Sequence, residues 1–188
     1  MTPWIKSPDK GAAQIAALAA AIPQIETARL ILRAPRISDW SMLEPIWTTD
    51  RAAHIGGPFD PEDAWLDFNQ IVAGWLLRGH GGLTVCDKSD GTVLGLVVLG
   101  HEYGDPAPEL GWLLTAAAEG KGYATEAAAA LRDLGRSLYG EGFVSYIAVE
   151  NAASVRVAEK LGAVRSGTHP AEAEVAIYHY PDQGVSHD

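Results

Sequence analysis

The chain has 188 residues and a mass of 20.0 kDa, the size of one ordinary domain, and at 47% hydrophobic residues with a mean hydropathy of +0.00 it can bury a full core rather than stay disordered. Twenty-four acidic residues against 14 Lys and Arg give a formal charge of −10, which lacks the basic footprint of a nucleic-acid binder and favours cationic ligands such as amines, although the same charge also serves plain solubility. No apolar run reaches the roughly 18 residues of a membrane span, and a single Cys86 excludes an intramolecular disulfide framework and a cysteine-rich metal site.

From the N-terminus, Gly11 to Ile22 is alanine-rich and reads as a helix or a loose extension ended by Pro23. Ala19 and Ala21 mimic a signal-peptidase site. Asp9 interrupts the basic start such a leader needs and Gln14 dilutes its apolar stretch, so residues 1–24 are read as an N-terminal extension and 25–188 as the single domain. Glu26 to Arg33 alternates as one opening strand. Ser38 and Asp39 signal the start of a short helix carrying Trp40, Leu43, Ile46 and Trp47, with Pro45 predicting a kink or a later start. Asp60-Pro61-Glu62 is a strong helix start, and Trp65, Phe68, Val72, Trp75 and Leu76 fall on one face as core rather than as an aromatic ligand cage.

Strands are then expected over 83–86 and 92–100, joined by an Asp90-Gly91 turn, the second apolar on both faces and hence central. A further strand covers 109–115. A helix follows with Ala124, Ala127, Ala128, Leu131, Leu134 and Leu138 on one stripe, stopped by Gly140 and Gly142. A strand over 143–149, a last helix from Asn151 to Leu161 and a strand pair over 163–168 and 175–180 complete the order. Hairpins followed by crossover helices predict a mixed sheet covered by helices.

The segment Glu109 to Ala127, ELGWLLTAAAEGKGYATEA, runs from a strand through a glycine-containing loop into a helix. A helix start leaves backbone N–H groups free and carries partial positive charge. Gly120 and Gly122 remove the side chains that would keep a phosphate group from those amides, and Lys121 adds a cation; a flexible turn with a solvated lysine would look the same. The P-loop pattern fails because Tyr123 and Ala124 stand where Ser or Thr must follow, and the dinucleotide pattern fails because Thr125 stands where its last glycine must be. The six histidines show no paired metal-ligand spacing.

Glu119-Gly120-Lys121-Gly122-Tyr123-Ala124, followed by Thr125-Glu126-Ala127, resembles the pyrophosphate loop of the GNAT acyl-CoA N-acyltransferases, although Glu119 replaces the usual Gln or Arg. ETARLILR at 26–33, Glu109-Leu110-Gly111, and the run from Asn151 and Ser154 to Glu159-Lys160-Leu161-Gly162 are similar to landmarks of the RimJ/RimL-type branch. The resemblance spans about residues 26–181. It implies an α/β (α+β) fold with a mixed, mostly antiparallel sheet of about seven strands, splayed open, and about four helices.

The resemblance also implies acetyl-CoA as co-substrate, no metal, and a primary amine as acceptor, either a protein N-terminus or a small molecule, in a cytoplasmic setting without nucleic acid or membrane. Monomer and homodimer both stay open. Pantetheine would pair with the strand at Trp112, Leu113 and Leu114, and the diphosphate would meet Glu119 to Thr125. Glu109 is the expected base, with Glu102, His101 and Asp105 as substitutes; an ordinary strand-end carboxylate is the alternative. Many relatives place a tyrosine seven residues after the Asn, where this chain has Ala158. Ser154 is the replacement that would hydrogen-bond the leaving sulfur, or it merely caps the helix. Asn151 contacts CoA amides or is the N-cap, and Arg156 reaches phosphates or lies on a solvated face. The missing tyrosine motivates a competing function, a CoA-binding regulatory or interaction domain without catalysis.

Overall fold

A computed structural model describes residues 6–181. The expected N-terminal helix forms as α1 (Ala12–Ala21) with no buried residue, and its Ile15 and Leu18 face solvent. Alanine's intrinsic preference, rather than a docked apolar stripe, accounts for its helicity. The expected single opening strand is two, β1 (Ile25–Glu26) and β2 (Leu30–Arg33). Thr27 divides them: its N–H donates to the Leu30 carbonyl at 3.0 Å and its hydroxyl accepts from Leu30 N at 3.0 Å, closing a tight turn.

Helix α2 (Trp40–Thr48) follows a 3-10 turn at Ile37–Asp39 and carries Pro45 within it, held by buried Trp40, Leu43, Ile46 and Trp47. Asp39 is buried and accepts from both Arg33 terminal nitrogens at 2.8 Å, from Arg36 N at 2.9 Å and from the Thr84 hydroxyl at 2.9 Å. Burial alone would raise its pKa. The Arg33 guanidinium, the Arg36 N–H and the Thr84 hydroxyl outweigh that and hold the carboxyl below its ordinary range. Because the folded value is lowered, this stabilisation is present above the ordinary carboxylate pKa and is lost as pH falls through the folded one. Asp39→Ala leaves the Arg33 charge buried without its partner, and denaturant unfolding should show a loss of about 3–5 kcal/mol.

Helix α3 (Pro61–Arg78) starts as expected, with Asp60 accepting from Glu62 N at 2.9 Å and Asp63 N at 3.0 Å, and ends at left-handed Gly79. Ala64 and Phe68 are buried, and Trp65 and Val72 pack beside them. Leu76 departs from the expected core face and is 80% exposed. Trp75 closes that end of the helix on the sheet instead, its indole N–H donating to the Gly82 carbonyl at 2.7 Å. The rings of Trp40, Trp47, Trp65 and Phe68 pack at centroid distances of 5.2 to 6.4 Å, a core cluster and not a ligand cage.

The remaining elements are β3 (Gly82–Asp87), β4 (Val93–Gly100), β5 (Glu109–Leu114), α4 (Tyr123–Tyr139), β6 (Val144–Ala148), α5 (Ala152–Lys160), β7 (Val164–Thr168) and β8 (Val175–His179). Eight strands, one more than expected because the first divides, form one sheet in the order β1-β2-β3-β4-β5-β6-β8-β7. Every pair is antiparallel except β5 with β6. Apolar cores lie on both faces, one under α4 with Leu131 and Leu110, the other under α2 and α3 with Trp47 and Phe68. Strand β4 serves both, Val97 and Leu99 on the first side and Leu96 on the second, as its doubly apolar sequence predicts. On α4, Ala127, Ala128 and Leu131 are buried as expected, whereas Leu138 is 48% exposed near the helix end. Among the described residues no helix is long and apolar enough to cross a membrane.

Two features open the sheet. In β4 the register shifts opposite Val85 and Cys86, leaving Leu94 unopposed, and such a bulge bends and twists the strand. Gly95 at this bulge has φ +155°, and a Cβ there would lie 2.1 Å from the Leu113 carbonyl oxygen, so only glycine lets β4 approach β5 this closely. Strand β5 then pairs with β4 along its whole length, from Glu109↔Gly100 to Leu114↔Gly95, but meets β6 only at Glu109↔Val144. Beyond that pair β5 and β6 diverge as a V.

Candidate active site

The backbone of β5 faces the V at alternate residues. Thr115 N donates to the Leu94 carbonyl at 2.8 Å, which fixes Thr115 and Leu113 toward β4 and Leu110, Trp112 and Leu114 toward β6. At the closed end the ladder gives way to side chains. Leu110's carbonyl accepts from the Ser145 hydroxyl, which also bonds the Tyr180 hydroxyl at 2.7 Å, and Tyr146 N reaches Glu109 Oε1 at 3.4 Å. Among the described residues no strand lies opposite Trp112, so its N–H and C=O form an exposed sheet edge inside the V. Leu114's carbonyl accepts from Arg51 Nη2 at 2.6 Å. Of the three expected strand contacts, Trp112 and Leu114 therefore turn backbone into the V, and Leu113 contributes only its side chain.

At the mouth of the V lies the glycine loop. Gly120 and Gly122 have φ of +71° and +79°, and α4 starts immediately after Gly122 without a side-chain cap. The first helical bond of α4 runs from Glu126 N to the Gly122 carbonyl, so the amides of Tyr123, Ala124 and Thr125 precede the hydrogen-bonded turns. A row of unsatisfied N–H groups, with no Cβ on the approach side and the positive end of a helix behind it, fits a diphosphate. The loop is fastened from β2's turn. Arg29 Nε pairs with Glu126 Oε2 at 2.7 Å, Arg29 Nη1 donates to the Lys121 carbonyl at 2.9 Å, and the guanidinium lies 4.5 Å from the centre of the Tyr123 ring. Lys121 itself is exposed and does not line the groove, whereas Glu119, Gly120 and Gly122 to Thr125 do.

This groove, of about 690 Å³, meets a second cavity of about 480 Å³ nearer the Glu109 end of β5, and Trp112, Leu113, Asn151 and Ser154 line both. Asn151 caps α5, its Oδ1 accepting from Ser154 N at 3.0 Å. Asn151 is thus the N-cap of one sequence reading, and it also lines the groove. Ser154 uses its N–H in the cap, and the residue lines both spaces. Ala158 is fully buried in the core, so that position faces away from the groove. Arg156 and Lys160 line the groove from α5 and are exposed.

The second cavity is acidic. Six carboxylates line it: Asp63, Glu102 and Glu172 at the rim and Asp67, Asp105 and Glu109 deeper in, with no Lys or Arg among its described lining. They do not form a group able to hold a metal ion. Glu109 sits at the closed end of the V. Its burial, reinforced by the charges of Glu102, Asp105 and Asp67 against a single opposing N–H from Tyr146, pushes its pKa up to about 8. Burial also raises Asp67, opposed by the Trp47 indole N–H at 2.5 Å, and raises Glu102 together with the neighbouring charges of Asp67, Asp105 and Glu172. His101 turns Nε2 to the Asp105 carbonyl at 3.1 Å and does not line the cavity.

Arg51, Asp67, Tyr146 and His54 line these spaces without having been singled out from sequence. Asp63 and Asp67 did carry a signal: like charges at i and i+4 on a helix repel, and such a pair on a face that continues into Ile71 has no structural benefit.

A splayed mixed sheet with an amide cradle at the mouth of its V and a perturbed carboxylate at the closed end defines a CoA-type acyl-group transferase. Residues 29–164 match the family model of the acetyltransferase (GNAT) domain, so the chain belongs to the GNAT family of acetyl-CoA-dependent acyltransferases. An acetyltransferase structure from Agrobacterium tumefaciens is 35% identical, covers 85% of this chain and 95% of its own, and superposes with a TM-score of 0.81. A GNAT-family acetyltransferase from Bacillus anthracis is 26% identical over 84% of this chain and 96% of its own, with a TM-score of 0.66. A ribosomal-protein-S5-alanine acetyltransferase from Vibrio fischeri shares the fold at 19% identity, covering 84% of this chain and 94% of its own, with a TM-score of 0.58. Comparison with curated proteins gives no match.

Proposed function

We propose that the protein is an amine N-acetyltransferase of the RimJ/RimL type, with residues 25–188 as its catalytic domain and its setting in the cytoplasm. The acceptor is a primary amine that reaches the acidic cavity as a cation, on a small molecule or a peptide end. Glu109 carries this reading: a carboxylate whose proton affinity is raised to about 8, lining an acidic cavity that opens onto the groove.

Acetyl-CoA supplies the acetyl group as a thioester. The amides of Gly120 to Thr125 hold its diphosphate, and the exposed edge of β5 at Trp112 aligns the chain that ends in the thioester. The rim carboxylates attract the ammonium form of the acceptor. Glu109, directly or through a water, takes the proton that frees the amine's lone pair, for which a pKa near neutrality suits it better than an ordinary carboxylate. The amine nitrogen attacks the carbonyl carbon, a C–N bond replaces the C–S bond, and the Ser154 hydroxyl hydrogen-bonds the departing sulfur, which leaves as thiol by taking up the proton that the acylated nitrogen gives up.

The test is thiol release from acetyl-CoA across a panel of cationic and neutral amines. Turnover should favour the cationic ones, and Asp67→Asn should raise KM for them about tenfold with little change for neutral amines. CoA binding with no turnover across the panel would contradict this proposal and leave the non-catalytic reading.

A further inference from the structure

Glu119 is a carboxylate at the mouth of an anion cradle, an arrangement that by itself repels a diphosphate. The structure answers it from 68 residues upstream: Arg51 Nη2 pairs with Glu119 Oε1 at 2.5 Å. The same nitrogen donates to the Leu114 carbonyl at 2.6 Å, so the guanidinium is pinned between the end of β5 and the start of the loop. Its Nε is buried and has no hydrogen-bond partner, although a charged N–H buried without an acceptor is costly. Arg51 lines the groove beside Glu119, Gly120 and Gly122. The other cations of the groove, Arg156 and Lys160, are exposed on α5, and no hydrogen bond holds them in place among the described residues.

Resting on the acetyl-CoA reading above, we propose that Arg51 is a donor-binding residue that supplies, from outside the loop, the positive charge for the diphosphate. Glu119 and the Leu114 carbonyl serve as its holder. They hold the guanidinium through Nη2 alone, which leaves Nη1 to donate to phosphate oxygens. The loop thereby binds an anion despite its own carboxylate. The segment that bears Arg51, the 3-10 turn Asp50–His54, also lines the acceptor cavity through His54, so the donor's diphosphate and the acceptor's wall share one anchor.

Two donors separate this role from a structural one. Arg51→Ala should weaken CoA binding in calorimetry by roughly 10- to 100-fold. It should lower kcat/KM for acetyl-CoA by a similar factor while leaving kcat/KM for S-acetylpantetheine, which has no diphosphate, within about twofold of wild type. Arg51→Lys should recover part of the CoA affinity, because it keeps the charge but loses the fork. An equal loss with both donors, or CoA affinity unchanged in Arg51→Ala, overturns the proposal. Wild-type protein that binds no CoA at all removes the reading on which it rests, an outcome distinct from a wild type that binds and a variant that binds equally well.

Discussion

Glu109→Gln is expected to lower kcat by about 10²- to 10⁴-fold, the usual worth of a positioned proton acceptor, while leaving the calorimetric affinity for CoA unchanged. The substitution keeps the shape of the protonated side chain and removes only its ability to take a proton. In wild type, kcat/KM should rise with pH through about 8, where Glu109 ionises in the free protein, and then level off. In the variant that limb disappears, and any residual rate follows the acceptor amine's own ionisation. Unchanged turnover would remove Glu109 from the chemistry.

The same side chain makes a second, independent expectation about stability. Its pKa is 4.5 in an unfolded chain and about 8 in the fold, so the folded state binds the proton more tightly. Wild type should therefore lose stability as pH rises from 4.5 to 8, the window in which the fold must hold a proton or bury a charge. Glu109→Gln escapes that cost. Its melting temperature should exceed the wild-type value increasingly across this window, by roughly 2–4 °C for each kcal/mol relieved in a chain of this size. A constant difference at all pH values would show that the carboxyl is not perturbed.

The other large effect is expected at the loop. Gly122 has φ +79°, and a Cβ there meets Arg29 Nη2 at 3.5 Å. Gly122→Val places a β-branched residue in a conformation it rarely adopts, presses on the arginine that fastens the loop, and crowds the approach to the amides. CoA affinity should fall by about 5- to 30-fold, the equivalent of the roughly 1–2 kcal/mol such a backbone conformation costs. Gly91→Ala is the control. Gly91 also has positive φ, +77°, but its Cβ would meet nothing within 4 Å and it lies in the β3–β4 turn. It should lower stability modestly and leave CoA binding intact. Normal binding by Gly122→Val would contradict the role given to the loop.

Much of this fold is legible along the chain because local rules and tertiary packing agree. Asp60-Pro61 starts a helix wherever it docks, and β4's doubly apolar run belongs only at a sheet's centre. The glycine loop was legible for the same reason, since the approach of an anion to free amides needs residues without side chains. Where the reading departed from the structure, a single hydrogen bond or neighbour decided. Thr27's bonds with Leu30 divide the first strand, and Trp75's bond with Gly82 leaves Leu76 outside.

The site divides in the same way. Glu109 and Ser154 could be picked out from motifs, but the acidic cavity could not, because Asp67, Asp105 and Glu172 come together only after three separate segments pack around β5. Arg51 was invisible for a related reason. Nothing in Thr49-Asp50-Arg51 points to the loop; the 68-residue separation from Glu119 is closed only by the fold.

The proposed activity depends on one physical interaction, the hold of the unpaired amides at the start of α4 on the diphosphate of coenzyme A. Isothermal titration of the full-length protein with CoA measures it directly. One molecule of CoA per chain should bind, with affinity that falls as salt is added and drops in Gly122→Val. Folded protein that releases or absorbs no heat on titration with CoA, at concentrations up to millimolar, would contradict the account.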